Sequence, residues 1–411
     1  FKGPLSSRNF SNLPNLEILD LSENRFVGEF PSSLYGCRSL RAIRLSRNPI
    51  RVQITPQMQA LQALYSLSLS FNGLTNIKET MKILMGCKNL TILVLNNNFQ
   101  DEAVSDDHDI GPAMQPVNGF HNLRFVSIGF CNLKGRVPAW VTNMRNLQFL
   151  LLPFNRLTGP IPDWLGSHPS LLYIDLTQNL IEGEIPKTLY GLRALKSDNY
   201  LLDNGTFELP IFFSLNHTRD IVGQLNCFSN IPPTIILRSN RLSGIIHKEI
   251  DQLEFLKKLD LSSNNISGCI PKEICKLTKL EELDLSRNNF SGKIPESLAQ
   301  ITSLRMLDVS YNNLQGSIPE GTQLQSFGAG AYEGNKQLCG QPLPNSCPVP
   351  GVNERDKRDL SKYITVGLGF SIGFSTVCYT LWWSRSWRNA YFQFLASIKD
   401  GLCKTVATIM T

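Results

Sequence analysis

The chain has 411 residues, a formal net charge of +6 at pH 7, and 42% hydrophobic against 18% charged residues. This mild charge, without a run of Lys and Arg interleaved with aromatic residues, argues against nucleic acid as a partner. Ten cysteines are too few for a disulfide-dense scaffold and lack the spacing of a metal-binding quartet. The sequence also has no nucleophile with its base and no phosphate-binding loop, so we expect neither an enzyme nor a bound cofactor or metal.

The chain begins in the middle of a repeating pattern. Phe1-Lys-Gly-Pro-Leu5 reads as the second half of a repeat unit, with no signal peptide before it. We therefore expect either a fragment of a longer protein or a gene that has lost its start. A first repeat without a cap is expected to fray.

Residues 1–195 and 234–320 repeat the pattern Leu-x-x-Leu-x-Leu-x-x-Asn, as in Leu16–Asn24. There are eleven copies, most of them 24 residues apart, and one carries Cys131 in the asparagine position. Leucines at alternate positions form a short parallel strand that stacks on its neighbours, and the asparagine can bond free backbone groups where the chain turns away. We predict an α/β repeat solenoid, a leucine-rich-repeat arc with short parallel strands on its concave face.

A second signature, Leu-x-Gly-x-Ile-Pro, follows most of the asparagines, as in Leu157–Pro162. The glycine permits a bend, and the proline starts the return along the convex side. This variant is similar to the plant extracellular class of leucine-rich repeats.

Two insertions interrupt the period. Between Asn98 and Cys131 the spacing is 33 residues rather than 24, and the added loop is acidic, with Asp106, Asp107 and Asp109. The second insertion, residues 196–233, leaves the repeat register, and we treat it as an island. Its apolar run Leu209–Phe213 predicts an extended strand, which either docks a peptide along an open edge above the concave face or only fills space against the repeats.

Residues 321–350 are expected to cap the last repeat. Cys339 and Cys347, eight residues apart, are expected to form a disulfide that staples this cap in an oxidising compartment. Cys269 and Cys275 form either a second disulfide or free thiols.

A hydrophobic segment lies near the C-terminus. Residues 364–383 are 20 uncharged residues, and as a helix they would span about 30 Å, the thickness of the hydrocarbon core of a bilayer. We predict one transmembrane helix between a juxtamembrane linker, 351–363, and a cytoplasmic tail, 384–411, that is too short for a kinase. Gly369 and Gly373 form a small-xxx-small pair that permits the close approach of a second helix.

The sequons and the tail charges set the topology. Basic residues follow the hydrophobic segment, which places the tail in the cytoplasm. All six Asn-x-Ser/Thr sequons precede residue 290, as expected for an extracellular N-terminal part of a single-pass type I protein in the plasma membrane. The sequon asparagines are Asn9, Asn89, Asn204, Asn216, Asn265 and Asn289.

Four stretches carry a family resemblance: Gly86–Phe99, Asn132–Trp140, Ile231–Leu237 and Gly334–Gly340. Through them nearly the whole chain resembles the plant receptors for tyrosine-sulfated peptides, namely the phytosulfokine receptors and, more closely, the receptor for a tyrosine-sulfated glycopeptide. The tail departs from these: its stretches Gly369–Phe374 and Ser386–Phe392 resemble the kinase-less plant receptor-like proteins, which include elicitor and resistance receptors.

The resemblance implies that a peptide lies between the concave strands and a strand of the island. Ser68, Ser70 and Phe212 match ligand-contacting positions of the phytosulfokine receptors. These three residues are therefore candidate ligand-binding residues.

At four other positions the sequence departs from that family. Arg44 replaces an amide, Asn96 a hydroxyl, Leu151 an acidic residue and Ser214 a basic one, which puts the same peptide in doubt. Arg44, Asn96 and Ser214 remain candidate ligand-binding residues. A guanidinium at Arg44 can bind sulfate through two hydrogen bonds, and the alternative is a solvated basic patch.

These features predict a cell-surface receptor-like protein that binds an extracellular peptide, with tyrosine-sulfated peptides among the candidates. Its signal would pass to a co-receptor kinase through the ectodomain and the transmembrane helix. The alternatives are an immune receptor that recognises a microbial elicitor and a decoy that binds without signalling.

Overall fold

The computed structural model describes residues 1–104, 119–197, 206–214, 222–228, 231–320, 322–347 and 354–409. The chain forms two compact units, Phe1–Cys347 and Pro348–Thr411. The acidic insertion and the sequons Asn204 and Asn216 lie outside the described residues.

In the described part of the first unit, eleven parallel strands form one sheet. Each repeat contributes three residues, and neighbouring strands pair in register, with Ala42 opposite Ser66 and Arg44 opposite Ser68. The predicted solenoid with short parallel strands is therefore confirmed. The strands are Ile18–Asp20, Ala42–Arg44, Ser66–Ser68, Ile92–Val94, Phe125–Ser127, Phe149–Leu151, Tyr173–Asp175, Thr234–Ile236, Lys258–Asp260, Glu282–Asp284 and Met306–Asp308.

The return side of the coils consists of short strands and 3-10 turns. A proline precedes many of the turns, and its ring fixes φ near the value that the turn needs, as at Pro162 with φ −71°. The strands are Lys2–Pro4, Arg25–Glu29, Ile50–Arg51, Lys134–Gly135, Arg156–Leu157, Glu182–Glu184, Arg241–Ser243, Ser267–Cys269, Asn289–Gly292, Asn313–Ser317 and Gln337–Cys339. The turns are Leu5–Ser7, Ser32–Gly36, Pro56–Ala60, Ala139–Asn143, Asp163–Ser167, Lys187–Gly191, Arg193–Leu195, Lys248–Gln252, Lys272–Lys276, Glu296–Gln300 and Ala329–Tyr332.

The repeat asparagines form a ladder inside the coils. Asn155 is buried, and its amide nitrogen donates to the carbonyl oxygens of Ile128 (2.8 Å) and Leu152 (3.1 Å). Its side-chain oxygen accepts from the backbone N–H groups of Cys131 (3.2 Å) and Leu133 (3.1 Å). One side chain thus satisfies four backbone groups that the turn would otherwise leave unpaired.

Cys131 occupies the asparagine position of its repeat, as the sequence indicated. Its thiol donates to the carbonyl oxygen of Gly129 at 3.1 Å and accepts from the N–H of Asn98 at 3.4 Å. Burial raises the pKa of this thiol to about 12, so the sulfur stays protonated at physiological pH. Cysteine therefore takes part in the ladder with fewer and weaker bonds than asparagine.

Helix α1, Ile77–Leu84, replaces the usual 3-10 turn in the repeat whose asparagines, Asn72 and Asn98, are 26 residues apart. Glu102 of the following repeat caps its N-terminus. The two carboxylate oxygens of Glu102 accept from the N–H groups of Asn76 and Ile77, each at 2.7 Å. The longer return segment is thereby fixed against the next coil.

The ladder continues beyond the eleventh repeat. Asn335 is buried, donates to the carbonyl oxygens of Val309 and Tyr332, and accepts from the N–H of Leu314. Short helix α2, Thr322–Ser326, precedes this coil, and the Cys339–Cys347 disulfide lies directly after it. The expected cap therefore includes a twelfth, partial coil.

Cys269 and Cys275 are both free thiols. Cys269 is exposed on a convex strand, and Cys275 is half-buried on the 3-10 turn Lys272–Lys276. Of the two alternatives left by the sequence, the structure has the free thiols.

The second unit contains helices α3, Glu354–Trp383, and α4, Arg385–Ile409. Within α3, Ile364–Trp383 is long and apolar enough to cross a membrane, with a mean hydropathy of 1.5. Hydroxyls in this segment bond inside the helix, since Ser371 donates to Gly367 O at 2.8 Å and Thr376 to Ile372 O at 2.7 Å. The segment therefore suits a medium that offers no other hydrogen-bond partners.

Candidate ligand-binding surface

Arg44 lies on the open face of the sheet, one strand away from Asp20. Its guanidinium donates to the Asp20 carboxylate and forms an ion pair with it. Burial would raise the pKa of Asp20, but hydrogen bonds from Arg44 and Ser22 outweigh this effect and keep the pKa below its usual value. A ligand anion at Arg44 must therefore compete with Asp20.

Ser68, Ser70 and Asn96 belong to one chain of hydrogen bonds that crosses neighbouring strands. The hydroxyls of Ser46 and Ser68 are 2.8 Å apart, and the N–H of Ser70 donates to Ser46 Oγ at 3.1 Å. The Ser70 hydroxyl in turn accepts from the N–H of Asn96, also at 3.1 Å. The structure therefore brings these three candidates together, with Arg44 on the strand beside Ser68.

Asn96 ends this polar chain. Its side-chain oxygen accepts from Ser127 Oγ at 2.8 Å and from the N–H of Gly129 at 2.7 Å. The amide orientation is thus fixed by two donors. Ser70 is buried, whereas Ser68 and Asn96 are half-buried and can meet a ligand.

The island contains a β-hairpin, in which Thr206–Ser214 pairs antiparallel with Val222–Cys227. We call these two strands the island hairpin. Phe212 lies opposite Gln224 and Ser214 opposite Val222, but the Phe212 and Ser214 side chains lie outside the described residues. The expected extended strand is therefore present, and one of its edges is already paired.

Aromatic side chains attach the C-terminal end of the island hairpin to the sheet. Phe228 is buried and stacks on Phe149, with ring centroids 5.1 Å apart and an interplanar angle of 11°. Phe149 also contacts Phe125 at 5.7 Å and Tyr173 at 6.1 Å on the two flanking strands. We call these four residues the aromatic anchor, and Arg124 covers its outer side, 4.4 Å from the Phe228 ring.

The aromatic anchor was not among the features predicted from the sequence. Phe125, Phe149 and Tyr173 occupy the same outward position in three successive repeats, a position that carries charged residues such as Lys258 and Glu282 further along. Three adjacent aromatics at a solvent-facing position indicate that something covers them. This signal was present in the sequence.

A groove of about 560 Å³ runs past the ends at which the strands begin. We call it the rim groove. Its lining includes two arginines and no carboxylate, so it favours an anionic or hydrogen-bonding ligand. The lining residues are Arg41, Ala63, Tyr65, Asn89, Thr91, Asn122, Arg124, Asn146, Gln148 and Ser170.

Three asparagines in the rim groove form a second ladder. Asn89, Asn122 and Asn146 each donate to a backbone carbonyl of the preceding repeat, at 2.7, 3.0 and 2.7 Å. Arg124 donates to Gln148 Oε1 at 2.9 Å. The groove wall is therefore ordered, and Arg124 connects it to the aromatic anchor.

Four of the predicted sequon asparagines are described, and all four are exposed: Asn9, Asn89, Asn265 and Asn289. Asn89 is also part of the rim groove.

Family models described as leucine-rich repeats match residues 4–50, 234–290 and 270–314, and a further one matches 146–168. In these segments the models match the repeats that form the sheet.

Two curated relatives from Arabidopsis thaliana match much of the chain. Receptor-like protein 3 is 48% identical over 389 residues, which cover 92% of this chain and 50% of that protein. Phytosulfokine receptor 1 is 40% identical over 200 residues, or 49% of this chain and 19% of that protein. The chain spans half the length, or less, of these two relatives.

A third relative comes from Solanum lycopersicum. Receptor-like protein EIX2 is 42% identical over 98 residues, which cover 20% of this chain and 10% of that protein. The similarity is thus confined to a short part of both chains.

Two solved structures share the fold. The ectodomain of the Arabidopsis receptor kinase HAESA, in complex with an IDA peptide hormone, is 27% identical with a TM-score of 0.59, covering 85% of this chain and 54% of that one. A TDR receptor structure has a TM-score of 0.62 at 23% identity, covering 82% and 50%, which shows likeness of fold alone. Together with the eleven repeats in register, the leucine-rich-repeat models and the 48% identity to receptor-like protein 3 support a plant leucine-rich-repeat receptor-like protein.

Proposed function

We propose that the chain is part of a single-pass receptor-like protein of the plasma membrane whose repeats bind an extracellular peptide. The observation that carries this proposal is the aromatic anchor, because it holds the island hairpin against the open face of the sheet. A peptide can then lie between the hairpin and the part of the repeats that carries Arg44, Ser68, Ser70 and Asn96. The peptide complex of the HAESA ectodomain and the similarity to phytosulfokine receptor 1 support the same reading.

The spacing of the arginines suits an extended, anionic peptide. Arg41 and Arg124 flank strands that are three steps apart, which corresponds to about 14 Å at the usual strand spacing. An extended peptide covers that distance in about four residues. Two acidic or sulfated side chains about four residues apart would therefore meet both arginines, and guanidinium groups bind such oxyanions through paired hydrogen bonds.

Calorimetric titration of the full chain in lipid nanodiscs tests the proposal with matched sulfated and unsulfated tyrosine peptides. We expect sulfate-dependent binding that weakens about tenfold or more in Arg44→Ala, since a charge-assisted pair contributes about 1.5–3 kcal/mol. Arg287→Ala is the matched control, because Arg287 lies over Tyr311 several repeats away.

If binding depends on sulfate but Arg44→Ala leaves it unchanged, the anion site is expected in the rim groove. In that case Arg124→Ala should abolish the dependence of binding on sulfate. Failure to bind any sulfated peptide would contradict the tyrosine-sulfated class. The immune-receptor candidate would then be favoured, which the resemblance of the tail motif Ser386–Phe392 to elicitor and resistance receptors supports.

The signal would leave through a partner kinase that contacts the ectodomain and α3. A Cβ added at Gly369 or Gly373 meets no atom within 4 Å, so both positions offer an open small-residue face to a second helix. Gly369→Leu with Gly373→Leu should abolish ligand-dependent phosphorylation in cells while leaving ligand affinity unchanged. Cys378→Leu, on the opposite face of α3, is the control. If the parent chain shows no ligand-dependent phosphorylation at all, the decoy alternative is favoured.

A further inference from the structure

Helix α4 has a mainly apolar face and a mainly polar face, and Phe392, which is 61% exposed, lies outside the apolar face. Its large apolar side chains recur every three or four residues, which places them along one face of a helix. We call this set the tail stripe: Trp387, Tyr391, Phe394, Leu395 and Ile398, all of them exposed, from 41% to 69%. The opposite face carries Asn389, Gln393, Ser397 and Asp400.

The tail stripe is too apolar to face water, yet α4 is too polar to cross a bilayer. Among the described helices, α3 is the one whose length and composition suit a membrane span, although α4 has 25 residues. A long helix with one aromatic and aliphatic face and one polar face is typical of segments that lie in the plane of a membrane surface.

The position of α4 in the chain indicates that the partner of the tail stripe is the membrane. Ser384 alone separates it from the end of the spanning segment at Trp383, so α4 begins at the bilayer surface. Ser384 also caps α4, since its hydroxyl accepts from the N–H of Trp387 at 3.4 Å. A capped start allows α4 to be a separate helix from α3 rather than its continuation.

The charges of the tail also favour binding to the membrane surface. Arg388 and Lys399 lie along the border of the tail stripe, where their long side chains can reach lipid phosphates while the apolar residues enter the bilayer. The tail carries four basic residues and one acidic residue, which complements the anionic inner leaflet. Trp387 and Tyr391 are the residue types enriched at membrane interfaces.

We propose that α4 lies flat on an anionic cytoplasmic membrane surface with the tail stripe inserted among the lipids. The inference rests on the proposed function only in requiring that α3 spans the membrane. The polar face of α4 would then be the part of the tail that cytoplasmic proteins can reach.

The test uses the full chain in nanodiscs that contain phosphatidylcholine and phosphatidylserine. An environment-sensitive fluorescent amino acid replaces Phe394 on the tail stripe or Gln393 on the opposite face. We expect lipids with a nitroxide near the headgroup to quench the probe at 394 at least about twofold more than the probe at 393, and aqueous iodide to show the reverse order.

Two charge variants separate electrostatic docking from a general charge effect. Arg388→Gln with Lys399→Gln lowers the net charge by two at the border of the tail stripe and should reduce lipid quenching of the 394 probe. Gln393→Glu with Ser397→Glu lowers the charge equally on the other face and should leave that quenching unchanged.

Equal access of iodide to both probes would overturn the inference, because α4 would then lie in water. Protection from iodide without lipid quenching would also overturn it, in favour of a protein partner or a second copy. Resistance of the chain to carbonate extraction is measured in parallel. If α3 does not insert, the proposed function fails as well, whereas insertion with a water-exposed 394 probe contradicts the tail inference alone.

Discussion

At the scale of single residues, the asparagine ladder makes a large contribution to stability from one side chain per coil. Asn155→Ala removes two donors and the acceptor of two backbone N–H groups in a buried place. We expect the free energy of unfolding of the repeat unit to fall by about 2–4 kcal/mol, because buried backbone groups are left without partners. Guanidinium unfolding of residues 1–347 measures the change.

Asn313→Ala serves as the comparison, since Asn313 is an exposed asparagine on a convex strand. It should change the unfolding midpoint little. Equal midpoints for the two variants would mean that the ladder bonds are replaced by water or by neighbouring groups.

Asp284 lies between Asp260 and Asp308 on adjacent strands of the sheet. Burial, with a smaller effect of these two charges, raises the pKa of Asp284, although Ser286 donates to its carboxylate. The folded chain therefore binds a proton at higher pH than the unfolded chain, and ionisation of Asp284 lowers stability as pH rises from the usual aspartate pKa through the raised one. Asp284→Asn should increase the melting temperature at about pH 7 and have no stabilising effect below about pH 4.

Melting curves of the repeat unit over this pH range check the prediction. Asp163→Asn, at an exposed position on a 3-10 turn, is the control for removing one negative charge. A stabilisation of Asp284→Asn that is the same at both pH values would show that shape, and not ionisation, is responsible.

At the scale of elements, α1 depends on a residue outside it. Glu102→Gln keeps one acceptor oxygen but places an NH2 group against a backbone N–H of the helix start. We expect a loss of about 1–2 kcal/mol and faster hydrogen exchange in Ile77–Leu84. Glu79→Gln is the control, because Glu79 is exposed and its carboxylate lies 3.9 Å from the Lys82 amine. If Glu102→Gln leaves hydrogen exchange in α1 unchanged, Glu102 does not cap the helix.

The island hairpin should detach when its aromatic contact is removed. Phe228→Ala eliminates the stack on Phe149, and we expect more rapid proteolysis within residues 206–227 and loss of peptide binding, with the repeats still folded. Phe30→Ala removes a comparable stack, 5.4 Å from Tyr35, in repeats that precede those of the aromatic anchor. Proteolysis that is equally fast in both variants would contradict the anchoring role of Phe228.

The sequence predicted the repeated elements better than the contacts between them. The period of leucine and asparagine determines the strands and their register, because each coil meets only its neighbours. The contact of Phe228 with Phe149 joins segments 79 residues apart in the chain, which no local period encodes. Likewise, the sequence offered Arg44 as an anion site, but the partner that occupies its guanidinium, Asp20, follows only from the pairing of two strands.

At the scale of the whole repeat unit, stability is expected to pass from coil to coil, so the ends determine where unfolding begins. The last coil holds Tyr332, which is buried and donates to Leu324 O at 2.6 Å, and Asn335 of the ladder. The Cys339–Cys347 disulfide closes this end, where Gly340 and Asn345 also share a backbone hydrogen bond. Unfolding of the C-terminal coils should therefore depend on the disulfide.

Cys339→Ser with Cys347→Ser should lower the stability of the final coils by about 2–3 kcal/mol, in line with the closure of a short loop. Hydrogen exchange resolved along the chain should then accelerate most near residues 306–338 and progressively less toward residue 42. Cys269→Ser with Cys275→Ser removes two cysteines that form no bond with each other and should leave this gradient unchanged. If exchange accelerates uniformly along the repeats instead, the unit unfolds as one cooperative body, and the disulfide contributes to the stability of every coil, including those that carry the ligand-binding candidates.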